Sequence, residues 1–339
     1  MSPFLLIWNF AMSFAAACLL TSSLLSADAV SRPLSEQGTA NFRPAAAAAE
    51  MQIAERFRLA EHSFDYSMQK LDVQLSNHEI WDVTFPSPVV TPHENNNTVH
   101  GEYYKPTGLA TGEKRPAVIV LHILGGDFVL SRLFAAAIAQ KGTAALFVKM
   151  PYYGPRAQPG VQRRMISANP DETIAGMTQA VLDIRQAVGF LSSRPEINPD
   201  ELGVFGISLG GITGTLAATA EPRLKNMCIL LAGGDLGKIA WEAREFRRER
   251  EKLIAMGATL DDFRSAVKEI EPLNYAANCK GRRILMLNAE DDEVIPRACT
   301  DALWQALDKP NLTYYSGGHY SVFRHILTAR AKVQDFFEP

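Results

Sequence analysis

Gly206-Ile207-Ser208-Leu209-Gly210 is a G-x-S-x-G segment, and its setting gives the serine a chemical task. An apolar run, LGVFGI, leads into it, and a helix-forming run rich in small residues, GGITGTLAATA, leaves it. A tight strand-to-helix turn lifts a serine into a strained, exposed position above a sheet edge, and glycines two residues away on either side make room for it. The helix start adds backbone N–H groups and the positive end of a dipole beside the hydroxyl. Such a serine is a nucleophile for acyl transfer if a base takes its proton and an acid orients that base. The chain offers both, in the order Ser…Asp…His. Asp292 lies in AEDDEVIP, just past the apolar run ILML, and a carboxylate at a strand's C-terminal end shares the rim with the serine turn. His319 follows the last apolar run in Gly317-Gly318-His319, where glycines let a loop turn an imidazole back toward that rim. Glu290, Asp291 and Glu293 compete for the acid role by proximity alone.

An acyl-transfer site also needs donors for the developing oxyanion. The Leu209 N–H, directly after the serine, is one. The other belongs to the loop LHILGGD after an early strand, where Leu124 is best placed and paired glycines permit close backbone approach. His122 in that loop has no second histidine or carboxylate at ligand spacing, so it reads as a brace and no metal is expected. Tyr152, Tyr153 and Arg156, in MPYYGPR, follow another strand end and are the candidates for substrate binding at the same rim.

Positioning these groups takes a sheet. Ile80–Phe85, Val99–Tyr104, Ala117–His122, Ala144–Met150, Leu202–Ile207, Met227–Ala232, Ile284–Leu287 and Leu312–Tyr315 read as strands. Helices at Ala135–Lys141 and Gly210–Ala220 alternate with them, and Asn169-Pro170-Asp171-Glu172 opens another, with Asn as N-cap and Pro in the first turn. Strands alternating with helices predict an α/β fold with a mainly parallel sheet covered on both faces. The rhythm breaks over residues 236–278, a charged helical insertion with WEAREFRREREK, placed where a lid would sit.

On LHILGG, GISLGG, AEDDEVIP and GGH, the chain from Ile80 to Pro339 resembles the α/β-hydrolase superfamily, and is most similar to its dienelactone-hydrolase-like and acyl-esterase branches. Many members carry Gly directly after the first motif's histidine, where this chain has Ile123. The resemblance implies an α/β-hydrolase fold, with Ser208 as nucleophile, Asp292 as acid, His319 as base, and Leu124 and Leu209 as oxyanion donors. It implies no cofactor. The expected activity is carboxylic ester hydrolysis through an acyl-enzyme, on a small-molecule ester or acylated substrate. A serine peptidase and a non-catalytic binding protein of the same fold are the competing readings. Peptidase relatives usually carry a large extra domain, and non-catalytic ones typically lack a triad member.

The front of the chain is different. Pro3–Leu25 is free of charge and is followed by Ala27-Asp28-Ala29, a small-x-small cleavage pattern. Residues 1–29 read as a secretory signal peptide or, uncleaved, as a membrane anchor, and either places the catalytic body in a secreted, periplasmic or tethered position. Residues 30–79 read as a polar linker over Ser31–Pro44, then an amphipathic helix over Ala45–Leu71, with Ile53, Phe57, Ala60, Phe64 and Leu71 at three- and four-residue spacing. The catalytic domain is expected over residues 80–339. Composition is that of an ordinary globular protein: 34 Lys and Arg against 37 Asp and Glu exclude a nucleic-acid binder by charge, and four cysteines are too few for a disulfide scaffold.

Overall fold

The computed structural model describes residues 34–73, 77–126, 128–243 and 247–339. Its strands join in one sheet of ten in the order β1-β2-β3-β4-β6-β5-β7-β8-β9-β10. They are β1 (Ser35–Phe42), β2 (His62–Lys70), β3 (His78–Pro86), β4 (Thr98–Pro106), β5 (Arg115–Leu121), β6 (Ala144–Lys149), β7 (Ile197–Ile207), β8 (Leu224–Leu230), β9 (Arg283–Ala289) and β10 (Asn311–Tyr315). The first four strands and the β4–β6 pair are antiparallel; β6, β5, β7, β8, β9 and β10 run parallel. The central parallel strands are buried on both faces and therefore read as unbroken apolar runs, such as Val118–Leu121 and Ala144–Val148, whereas β10 at the edge is only partly buried.

Helices cover both faces. They are α1 (Ala47–Gln52), α2 (Val129–Gln140), α3 (Pro170–Ser193), α4 (Leu209–Ala220), α5 (Leu236–Glu242), α6 (Arg247–Ala255), α7 (Leu260–Val267), α8 (Arg297–Ala306) and α9 (Ile326–Phe337). On one face α3 and α4 pack over a core containing Ile119, Leu146, Val188 and Leu216; on the other α2 and α9 enclose Val120, Phe134, Phe147 and Val333. The start of α3 follows the expected chemistry, with the Asn169 side chain accepting the Asp171 N–H at 3.0 Å. The described residues between β8 and β9 fold into α5, α6 and α7 and three 3-10 turns, and α6 is solvent-exposed along most of its length. Cys228, Cys279 and Cys299 are buried free thiols.

Two expectations for residues 30–79 are overturned. The linker contains β1, in which Ala40 and Phe42 are fully buried, and the expected helix is instead the short α1, a 3-10 turn over Glu55–Phe57 and, in its last third, β2. Phe64 and Met68 lie four apart, a spacing that a helix face and every second inward position of a strand share. Pairing decides between them: β1 matches β2 residue for residue from Ser35↔Gln69 to Phe42↔His62, and β2 continues onto β3. Tertiary packing locks the edge in place, because α3 passes so close that a Cβ at Gly189 would lie 3.1 Å from the Asn41 carbonyl oxygen. The sheet therefore begins well ahead of Ile80, and Leu34–Pro339 is a single compact unit. Pro3–Leu25 and the Ala27-Asp28-Ala29 pattern lie outside the described residues. No helix among the described residues is long and apolar enough to cross a membrane.

Candidate active site

β7 ends at Ile207 and α4 begins at Leu209, so Ser208 alone makes the turn, with φ 53° and ψ −115°. That is a costly backbone for a non-glycine residue, of order 1–3 kcal/mol, and it holds only where the surroundings over-determine it. They do. The Ser208 N–H donates to the Leu230 carbonyl at 2.8 Å, and a Cβ on Gly206 would overlap the Gly210 backbone. A Cβ on Gly210 would sit 2.7 Å from the Leu121 and His122 carbonyl oxygens, so the glycine also lets the loop after β5 close on the turn.

Asp292 and His319 meet the serine from the ends of β9 and β10. The Ser208 hydroxyl lies 3.1 Å from His319 Nε2, and His319 Nδ1 lies 2.8 Å from Asp292 Oδ2. Asp292 Oδ1 accepts the Val294 and Ile295 N–H groups at 2.9 and 2.7 Å, which pins the carboxylate. All three side chains are withdrawn from water, that of Asp292 to 2% exposure. With its Nδ1 proton held by a carboxylate, the imidazole presents a lone pair on Nε2 to the hydroxyl. That is the arrangement for general-base activation of serine.

The donor loop lies against the turn. Leu209 is the first residue of α4, so its N–H has no acceptor within the helix. Leu124 sits in the bend after β5, closed by Gly126 N–H to Ile123 O at 3.2 Å, with its side chain half in solvent. His122 braces the bend: Nδ1 donates to Ile123 O at 2.8 Å, and Nε2 accepts the Met150 N–H at 3.0 Å. These two bonds fix the neutral Nδ1–H tautomer. Burial lowers the imidazole from its ordinary 6.5 to about 4, with Arg156 and Lys149 adding to the effect and the Ile123 bond opposing it.

The His122 shift has a consequence for stability. The unfolded chain takes up this proton near pH 6.5 and the folded chain only near 4. Stability present above pH 6.5 therefore falls as the pH drops toward 4, then levels. The expected loss from this group is about 2 kcal/mol between pH 7 and pH 5. Urea titrations at both pH values check it, and the drop should shrink by that amount in His122→Asn. An equal drop in the variant contradicts the assignment.

Of the three expected substrate-binding residues, Tyr153 packs against the donor loop, Tyr152 against Arg163 and Asn96, and Arg156 is buried away from solvent. The Tyr153 ring packs against Gly126, where a Cβ would lie 2.9 Å from Cδ1, and meets the His122 ring edge-on at 4.6 Å. Burial raises its hydroxyl to about 12, against a downward pull from Arg164. Tyr152 lies under the Arg163 guanidinium, 4.5 Å from the ring, and its N–H donates to Asn96 Oδ1 at 2.9 Å.

Arg156 is the correction. It is fully buried, donating to Asn96 O at 2.8 Å and Lys149 O at 3.1 Å, with Asp183 Oδ2 2.8 Å from Nη1 but off the line of a hydrogen bond. The guanidinium is turned inward because a carboxylate sits in α3 beneath it, a partner that lies 27 positions away in sequence. Burial pushes the Asp183 carboxyl up, and Arg156 and the Ser87 hydroxyl, 2.6 Å away, draw it back. Removing one member of a buried pair strands the other charge, so Arg156→Ala should cost about 3–5 kcal/mol. A urea midpoint unchanged from wild type contradicts this, and Arg156→Met with Asp183→Leu should restore most of the loss. Sequence reading also missed Asn96, which joins Tyr152, Arg156 and Gln179 in one network. A lone Asn in the turn NNN gives no signal of this.

Known proteins resemble the chain in sequence over part of its length and in fold over most of it. By sequence the chain is 26% identical over 185 residues to an uncharacterized protein of Mycobacterium tuberculosis, covering 52% of this chain and 41% of that one. It is 28% identical over 166 residues to an uncharacterized protein of Pseudomonas aeruginosa, covering 45% and 40%. These matches thus span about two-fifths of the relatives' length. By structure it is similar to acetyl xylan esterase 1 from Thermoanaerobacterium sp., with a TM-score of 0.61, 19% identity, and 80% of this chain and 88% of that one covered. An acetyl xylan esterase from Paenibacillus sp. gives 0.62 and 22% over the same shares. At these identities the likeness concerns the fold, which is that of the α/β hydrolases. The family model described as alpha/beta hydrolase domain containing 18 matches residues 47–237, from the start of α1 to beyond the serine turn, and the chain belongs to that family of α/β hydrolases.

Proposed function

We propose that the protein is a serine hydrolase that cleaves carboxylic esters through an acyl-enzyme. The observation that carries the reading is the unbroken relay from Ser208 Oγ through His319 to Asp292. As the Ser208 hydroxyl attacks the ester carbonyl, His319 Nε2 takes its proton, and the imidazolium is stabilised by Asp292. The tetrahedral oxyanion is received by the Leu209 and Leu124 N–H groups, which are fixed before the reaction and need no reorganisation. Collapse expels the alcohol, protonated by His319. Water, activated by the same imidazole, then releases the acid.

Esters are placed ahead of amides because the two named relatives of the same fold are acetyl esterases that align over most of both chains. The test is a substrate panel of acetyl, longer acyl, lactone and peptide compounds, run beside Ser208→Ala. Turnover of esters by wild type alone is expected. Turnover confined to the peptide would make the protein a peptidase.

A further inference from the structure

The acid turn and the histidine loop run side by side. The Glu290 N–H donates to Tyr315 O at 2.9 Å and the Asp291 N–H to Gly317 O at 3.0 Å. Asp292 then takes the imidazole ring, and the next residue takes the main chain: Glu293 Oε2 accepts the His319 N–H at 2.8 Å. Two successive carboxylates thus hold one histidine, the first by its side chain and the second by its backbone. Gly318 is shaped to this grip. A Cβ there would overlap Glu293 Oε2 and lie 3.1 Å from Asp291 O, so a larger residue would push the carboxylate away. From the other side, Ser321 Oγ accepts the Gly318 N–H at 2.9 Å.

This matters because His319 stands on a loop, outside any helix or strand, and its Nε2 must stay in reach of the Ser208 hydroxyl. A displacement of about 1 Å can cost on the order of 100-fold in rate. Glu293 is itself exposed, so its bond contributes little to global stability, and its effect should fall on the reaction. We propose that Glu293 is a positioning residue: through the His319 N–H it sets the imidazole over Ser208, in a space that Gly318 keeps open. The proposal rests on Ser208 and His319 being nucleophile and base.

The experiment compares wild type, Glu293→Ala, Glu293→Gln, Gly318→Ala and the double variant Glu293→Ala/Gly318→Ala. It reads the fluorophosphonate labelling rate, kcat and KM for ester hydrolysis, and Tm. Glutamine keeps an oxygen for the His319 N–H; alanine removes it. Glu293→Ala should lose on the order of 10- to 100-fold in labelling and kcat, with KM and Tm near wild type. Glu293→Gln should recover all but about threefold, and Gly318→Ala should cost little more once Glu293 is already alanine. Labelling of Glu293→Ala at the wild-type rate, glutamine as slow as alanine, or losses that multiply in the double variant would each overturn the proposal. A wild type that never labels would defeat the nucleophile assignment itself, which separates the two failures.

Discussion

Ser208→Ala is expected to lower kcat/KM for ester hydrolysis by on the order of 10⁵- to 10⁶-fold while leaving the protein folded. The size follows from the division of labour at the site. With the hydroxyl gone, the base and the oxyanion donors remain, but nothing is left to form the acyl-enzyme, and residual rate comes from binding and electrostatics. The fold should tolerate the change. The hydroxyl bonds to His319, whereas the turn is held by the Ser208 N–H and by Gly206 and Gly210. Alanine meets the same backbone strain as serine at φ 53°, so stability should stay within about 1 kcal/mol. Steady-state kinetics beside a thermal melt check both halves. A variant within tenfold of wild type would move the chemistry elsewhere.

Asp292→Asn should be nearly as damaging, on the order of 10⁴-fold in kcat, for a reason visible in the hydrogen bonds. Asp292 Oδ1 accepts two backbone N–H groups, from Val294 and Ile295. An asparagine will therefore keep its oxygen there and turn its NH₂ toward His319 Nδ1. That NH₂ takes the closer of the two carboxylate positions, 2.8 Å from Nδ1 against 3.0 Å for the retained oxygen, and so favours the imidazole proton on Nε2, the atom that must accept the serine proton. The wrong tautomer, with geometry otherwise intact, is the expected defect, and a kcat loss with little change in KM is its signature. Retention of activity within tenfold would hand the acid role to a neighbouring carboxylate.

The α/β-hydrolase fold and the grouping of Ser208, Asp292 and His319 were legible in the sequence, and the N-terminal strands were not. Ser208, Asp292 and His319 were legible because each sits at the C-terminal end of a parallel strand, where an apolar run stops and a glycine or acidic loop begins. The N-terminal strands were not, because Phe64 and Met68 satisfy helical and strand periodicity alike. Only the partners β1 and β3, far off in sequence, break the tie. Arg156 failed in a related way. Its distance from a strand end placed it at the rim, but Asp183, from a helix beneath, draws it inward. Glu293 was in view as a rival acid. Its bond to the His319 backbone depends on how two loops pack, and no spacing rule carries that.

Whether Ser208 is a nucleophile activated by His319 is tested by covalent labelling without knowledge of the substrate. Wild type treated with a fluorophosphonate should gain a single adduct by intact mass, mapped by peptide analysis to Ser208. The adduct should be absent in Ser208→Ala and form far more slowly in His319→Ala. Folded wild type that stays unmodified, or Ser208→Ala labelled as fast as wild type, would show that Ser208 is not the nucleophile.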